Sequence, residues 1–264
     1  MKKKINFWAW FWILLGALYF LLPLYGTLVF SLREKRGVLS LASYQWVLAD
    51  PRFRATFTYS ALIALATIVV GLLLIVPTAY WVHLRLPQVR PLIDFISLMP
   101  FVVPPIILVF GLIKIFSRPP LALTETVQLT NLLLMCGYVI IAMPYTYRSV
   151  DTGLRAIDVQ TLTEAAQSLG AGWFTILFRI ILPNIRAALL SGAFLTFAIV
   201  VGEFTMSSLL DRPAFGPYLV YIGNNYAYQP AALAIISFAL TWAAILLIQF
   251  VGRGGEQAQI GGGH

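Results

Sequence analysis

The side chains able to do chemistry in this sequence are few, and the one in the most demanding position is Glu203, within Val201-Gly202-Glu203-Phe204-Thr205. A carboxylate at the centre of a membrane-spanning helix costs roughly 2.5 to 3.5 kcal/mol on insertion scales, so Glu203 should face a cavity or a partner rather than lipid. At helical spacing Gly192, Thr196, Glu203 and Ser207 share one face, small and polar. Such a face suits the lining of a solute pathway, where a cationic solute would need an acidic counter-charge. It suits equally well a helix–helix contact, with the carboxylate paired or protonated. His83 and Glu203 are the obvious pair for an intramembrane enzyme, but His83 falls at the edge of its apolar run and Glu203 lies deeper. The chain contains no HExxH, no Gly-x-Ser-x-Gly and no Gly-x-x-x-x-Gly-Lys-Ser/Thr, so no nucleophile motif, zinc-protease motif or phosphate-cradling loop accompanies them. The single cysteine, Cys136, excludes an internal disulfide framework and a Cys-based zinc site, and reads as a small core or lipid-facing residue. No metal and no cofactor is expected on this chain.

The elements that must position these residues are membrane helices. Of the 264 residues 60% are hydrophobic and 11% charged, far below the usual quarter for soluble domains, which makes this an all-α integral membrane protein. The net charge of +8 is scattered at the edges of apolar runs rather than gathered on one face, so the cations read as membrane-flanking residues and not as a nucleic-acid surface. Runs long enough to span fall at about 7–30, 57–81, 91–116, 127–147, 187–210 and 230–251, giving six helices in one transmembrane domain over 1–264. The first run is too long for a signal-peptide core. Pro100, Pro104 and Pro105 imply that the third span is bent or broken, and Pro144 implies a kink in the fourth. Residues 31–56 read as a loop with at most one surface helix, interrupted at Pro51. Asp94 and Lys114 lie near the ends of their span, where polar heads reach the interface. Asn224, Asn225 and Tyr228, before the last span, read mainly as loop residues that could also meet solute or an external protein. The Gly-rich stretch 252–264 reads as a disordered tail.

With the N-terminus inside, Lys2, Lys3, Lys4, Arg85, Arg90, Arg148, Arg155, Arg179, Arg186 and Arg253 are cytoplasmic, ten cations against eight on the other side. That margin is weak for the positive-inside rule. The opposing side is loaded by the first loop, with Arg33, Lys35, Arg36, Arg52 and Arg54.

One polar stretch interrupts the apolar runs, the loop 148–186 between the fourth and fifth spans. Thr161-Leu162-Thr163-Glu164 has capping-box spacing and starts a helix near Leu162. Leu162, Ala165, Ala166 and Leu169 recur on one face, and Gly170 and Gly172 let the chain leave the helix. A helix of about two turns is not stable alone and must dock. Trp173 to Ile181 follows as an amphipathic stretch suited to a membrane surface, and Pro183 stands where the first turn of the fifth span begins. Helix physics alone also allows an ordinary loop in which Glu164 is merely a cap.

The same stretch resembles the cytoplasmic loop motif of permease subunits of binding-protein-dependent ABC importers of the type I fold. The anchors Glu164, Ala165, Ala166, Gly170, Ile180, Leu182 and Pro183 all stand at that family's spacing, between the fourth and fifth of six spans. The resemblance covers nearly the whole chain and is looser outside the motif. It implies a coupling helix that fits a groove on a separate ATPase subunit, and therefore a cytoplasmic loop, cytoplasmic termini and a bacterial inner-membrane location. It further implies an ATPase dimer carrying ATP and Mg, a second, non-identical permease subunit and an external solute-binding protein; the polar face of Glu203, Thr196 and Ser207 read above is the expected lining of the pathway. Pro100-Phe-Val-Val-Pro-Pro105, Gly111 and Gly202-Glu203-Phe204 resemble most the spermidine/putrescine branch, which implies a polyamine cargo. Ferric iron, thiamine, a phosphonate or an opine-like molecule on the same fold stays open, as does an ion-coupled secondary carrier using Glu203 as its proton site.

Overall fold

The prolines and polar caps of this apolar chain decide where each helix begins and ends. The computed structural model describes residues 7–35 and 37–253; Lys2, Lys3, Lys4, Arg36 and all but the first two residues of the expected tail lie outside them. All regular structure among the described residues is helical: α1 (Phe7–Ser31), α2 (Ala42–Ala49), α3 (Pro51–Leu84), α4 (Arg90–Val102), α5 (Pro105–Phe116), α6 (Val127–Arg155), α7 (Val159–Ser168), α8 (Trp173–Ile176), α9 (Leu182–Asn184), α10 (Arg186–Gly202), α11 (Thr205–Leu209), α12 (Phe215–Asn225) and α13 (Gln229–Arg253). A π-turn over Leu177–Ile181 joins α8 to α9.

Three helices are long and apolar enough to cross a membrane unbroken: Trp10–Ser31, Pro51–Leu84 and Val127–Arg155. Two bent pairs raise the number to five if each is one span. The expected third span is one of them, α4 and α5 meeting at 100°. Val103 and Pro104 both precede a proline and are held extended, at ψ 111° and ψ 141°, so the helix cannot run through them. The expected fifth span is broken as well, since α10 ends at Gly202 and Glu203 and Phe204 separate it from α11. α13 covers the expected sixth span, and its apolar described part is Gln229–Ala243.

Pro51 does not interrupt a helix; it starts one. It occupies the first position of α3, where a missing N–H costs nothing, and Asp50 Oδ1 accepts the Arg52 N–H at 2.9 Å. Arg52 and Arg54 therefore sit on the first turns of α3 and not in a loop. α6 carries Pro144 without ending there and continues to Arg155, so the polar loop begins later than residue 148.

The chain divides into two compact units. One comprises the chain up to Arg54 with Tyr218–Trp242. In it Glu34 accepts hydrogen bonds from Ser43 Oγ at 2.6 Å and Gln229 Nε2 at 3.2 Å, and Asp50 Oδ2 accepts from the Tyr218 hydroxyl at 2.9 Å. Tyr228 stacks on Phe30, and the Asn225 side chain donates to the Tyr221 carbonyl. The other comprises Ala55–Pro217 with the chain from Ala243 onward. Its spine is the antiparallel contact of α6 and α10, ordered along their lengths. Gly153 meets Ala188, where an added Cβ would come within 2.5 Å of the Ala188 Cβ. Next, Gly192 lies against Ser149, and the Thr146 and Thr196 hydroxyls bond at 2.9 Å. Tyr138 then reaches Glu203. Small residues here let the backbones approach closely, the usual source of helix affinity where apolar surface is no longer driven from water.

Candidate functional site

α7 is built from its two ends. At the N-terminus Asp158 Oδ1 accepts the Thr161 N–H at 3.0 Å and Oδ2 accepts the Thr161 hydroxyl at 2.7 Å. The Thr161 amide and hydroxyl hold the Asp158 carboxyl below the ordinary carboxylate range. The cap is thus Asp158 and not Thr161, and the helix is longer at its start than the Thr161–Glu164 spacing implies; Glu164 instead accepts from Gln160 Nε2 at 2.9 Å. An aspartate competes well for this role because its two carboxylate oxygens serve both the amide and the hydroxyl of Thr161, the third residue of the helix. At the C-terminus Gly170 adopts φ +82°. Its N–H bonds the Gln167 carbonyl and that of Ala171 bonds the Ala166 carbonyl, the paired closure that favours glycine.

The two long faces of α7 differ. Val159, Thr163 and Ala166, at i, i+4 and i+7, are buried, and Leu162 packs beside them. The core they join contains Ile75, Ala79 and Tyr80 of α3, Tyr147, Val150 and Leu154 of α6, and Ile176, Leu177, Ile181 and Ile185 of the following segment. The Tyr80 and Thr163 hydroxyls are 3.0 Å apart. Thr163 already gives its proton to the Val159 carbonyl at 2.7 Å, so Tyr80 is the donor. Glu164, Ala165, Ser168 and Gly170 are exposed, and Leu169 is 89% exposed. The inward face is therefore Val159, Thr163 and Ala166, whereas Ala165 and Leu169, expected to share it with Leu162 and Ala166, face outward.

Beyond Gly172, α8, the π-turn and α9 form an elbow that meets α10 at 78°. Pro183 has no N–H to give the Arg179 carbonyl, which fits the widened turn ahead of it. Ile181 is fully buried, Ile180 and Leu182 are half-buried, and Pro183 is exposed. The anchors of the motif thus serve four jobs: Ala166, Ile180 and Leu182 attach the segment, Gly170 ends α7, Pro183 shapes the elbow, and Ala165 and Glu164 are exposed, Glu164 accepting from Gln160 within α7.

Above this core lies an ionic cluster that sequence reasoning missed. Asp151, 2% exposed, accepts from Arg90 at 2.7 Å and Arg155 at 2.8 Å, and bonds His83 Nε2 at 2.9 Å. It ties together the end of α3, the start of α4 and the end of α6. His83 is thereby spent on Asp151 and has no pairing with Glu203. The available signal was Arg155 four residues after the acid, masked by reading 148–186 as loop.

Glu203 sits at the break between α10 and α11. Its carboxylate accepts the Met206 N–H at 2.9 and 3.0 Å, the Ser207 N–H at 3.2 Å and the Tyr138 hydroxyl at 3.0 Å. The carboxylate is thus met by two backbone amides at the start of α11 and one phenol. Gly216 packs on the Glu203 carbonyl so closely that any Cβ would collide with it. Thr196 and Ser207 are 2% and 0% exposed. Thr196 bonds Thr146 and the Gly192 carbonyl, and the Ser207 hydroxyl bonds the Glu203 and Phe204 carbonyls. With the helix interrupted at Glu203, the four residues do not share one continuous face. Cys136 is exposed on α6. Among the described residues no group of three or more His, Cys, Asp or Glu side chains is placed to hold a metal ion.

Long apolar helices, bent pairs and a carboxylate spent inside the helical packing define a multi-pass, all-helical membrane protein. The model of the family described as binding-protein-dependent transport system inner membrane component matches residues 75–253, and the chain belongs to that family. It is a permease subunit of an ABC importer, a transport subunit whose ATPase is a separate partner. The chain is 29% identical over 243 residues to a probable molybdenum ABC transporter permease of Haloferax volcanii, covering 89% of this chain and 86% of that one. It is 30% identical over 166 residues to the spermidine/putrescine permease PotC of Escherichia coli K12, covering 60% of each. A bacterial alginate ABC transporter, solved in complex with an alginate pentasaccharide-bound periplasmic protein, shares the fold at a TM-score of 0.69 and 14% identity, over 93% of this chain and 94% of that one.

Proposed function

We propose that α7 is the coupling helix of this permease, the element through which a partner ATPase dimer drives transport. The carrying observation is the division of α7 into a docked face, Val159, Thr163 and Ala166, and a free face of Glu164, Ala165 and Leu169. A short helix held from behind and presenting an alanine and a bare leucine suits insertion into a groove of another protein. On this reading the α7 side is cytoplasmic, as are both termini. ATP and Mg bind the ATPase, a second and non-identical permease completes the pathway, and an external binding protein delivers the solute. ATP-driven closure of the ATPases moves α7, and the core shared with α3, α6 and the elbow passes that motion to α10. In the reconstituted complex, Glu164→Lys should leave the chain in the membrane and ATP hydrolysis active while uptake falls. Uptake equal to wild type would overturn the assignment.

The pathway role centres on Glu203 and the break beside it, where Gly202 and Phe204 are exposed and Glu203 half-buried. Thr196 and Ser207 support this break from within and would reach a solute only after α10 and α6 part. A polyamine cargo is favoured by the half-buried carboxylate, which offers a counter-charge, and by the likeness to a spermidine/putrescine permease. The likeness to a molybdenum permease, over more of the chain, supports a second reading with a different solute. Stimulation of the complex's ATPase by binding protein loaded with spermidine, but not with molybdate, would decide for the first.

A further inference from the structure

The turn that follows α1 carries a cavity apart from both α7 and Glu203. Arg33, Lys35, Gly37, Val38 and Leu39, with Tyr228, line a cavity of about 490 Å³. Between the two cations Glu34 is turned the other way, held by Ser43 and Gln229. This pins the turn so that Arg33 and Lys35 both project outward, exposed. Neither side chain has a hydrogen bond or ion pair among the described residues. Beside them Val38 and Leu39 are 66% and 69% exposed, an unusual pairing of bare aliphatic residues with cations. Tyr228 closes one side and stacks on Phe30 at 5.0 Å. α1 ends at Ser31, so both cations follow directly on the end of a candidate span, at the depth of lipid headgroups.

We propose that this cavity binds the phosphate of an anionic phospholipid in the leaflet that meets the C-terminal end of α1. The Arg33 guanidinium offers a planar fork to two phosphate oxygens and the Lys35 ammonium a point charge to a third. Val38 and Leu39 lie against the glycerol and upper acyl carbons, and Tyr228 takes the interfacial position its ring and hydroxyl suit. An acidic protein surface would also meet the cations, but it would gain nothing from two exposed aliphatic residues at the end of a span. The site also gives a reason for cations on a loop that otherwise weakens the charge asymmetry of the chain.

The test is lipid retention by the full-length chain. Protein reconstituted into nanodiscs of equimolar phosphatidylglycerol and phosphatidylcholine is extracted with mild detergent, and the lipids that stay bound are counted by native mass spectrometry. Wild type should retain phosphatidylglycerol preferentially, and the double variant Arg33→Gln/Lys35→Gln should lose roughly 30-fold of that preference. The variant Lys114→Gln/Arg118→Gln, removing two exposed cations at the end of α5, should retain it. Size-exclusion profiles of all three should coincide, since neither Arg33 nor Lys35 has a hydrogen bond or ion pair among the described residues. Three results would each overturn the proposal: no preference in wild type, a preference unchanged in Arg33→Gln/Lys35→Gln, or an equal loss in the α5 variant. Intact lipid preference with lost affinity for the external binding protein would assign the surface to that protein instead.

Discussion

The Tyr80 hydroxyl donates to the Thr163 hydroxyl across 3.0 Å, both side chains buried, so the short polar helix α7 is bonded to the long helix α3. It is a polar tie between a short helix with one exposed face and a helix long and apolar enough to cross a membrane. Around it the contact is apolar.

Removing that tie should loosen α7 without unfolding the span. Tyr80→Phe keeps the ring in the core and leaves Thr163 its bond to Val159, so the expected loss is about 1 kcal/mol. Amide exchange of α7, followed by mass spectrometry, should quicken while that of α3 and α6 does not.

The α6–α10 spine should be intolerant at Gly153. Gly153→Ala places a Cβ against the Ala188 Cβ, with no flexible side chain to yield, and should cost about 1 to 3 kcal/mol in thermal unfolding of the detergent-solubilised protein. Gly170→Ala should act differently, through the φ of +82° that alanine resists, slowing nothing in the spine but fraying the end of α7.

Asp151 should behave as a shared anchor. Asp151→Ala leaves His83, Arg90 and Arg155 without their acceptor, and we expect a loss of about 2 to 4 kcal/mol, below that of a fully buried pair because Arg155 is 51% exposed. Removing one partner, with Arg155→Ala, should cost less than Asp151→Ala, since Arg90 and His83 remain on Asp151.

The polar loop was legible in outline and misleading in detail. Its glycine at the end of α7 and the proline of the elbow follow from backbone chemistry, and Gly170 adopts the positive φ that glycine tolerates best. The start of α7 was misplaced because Thr161–Glu164 and Asp158–Thr161 both satisfy a three-residue cap spacing, and only packing chooses between them. The composition marked the chain as membrane-embedded, and the prolines of the third span marked a break. A break at Glu203 was not legible, since nothing in Val201-Gly202-Glu203-Phe204-Thr205 forbids a continuous helix. The carboxylate itself stabilises the interruption by capping α11, a tertiary arrangement with Tyr138 that no local pattern shows.

The carboxylate cap of α7 yields a prediction at Asp158, whose carboxyl is held low by Thr161. Its contribution is complete above the unfolded carboxylate value of about 3.9 and is lost as pH falls through the lower folded value. Asp158→Asn, which retains an acceptor, should keep the start of α7 protected from exchange at neutral pH, and Asp158→Ala should not.

The free face of α7 is the centre of the account, and cross-linking to the ATPase tests it most directly. In a Cys136→Ser background, Ala165→Cys should form a disulfide with cysteines introduced along a groove of the co-expressed ATPase, and Thr163→Cys, on the buried face, should not. Equal cross-linking from both positions, or none from Ala165→Cys in a complex that still transports, would contradict it.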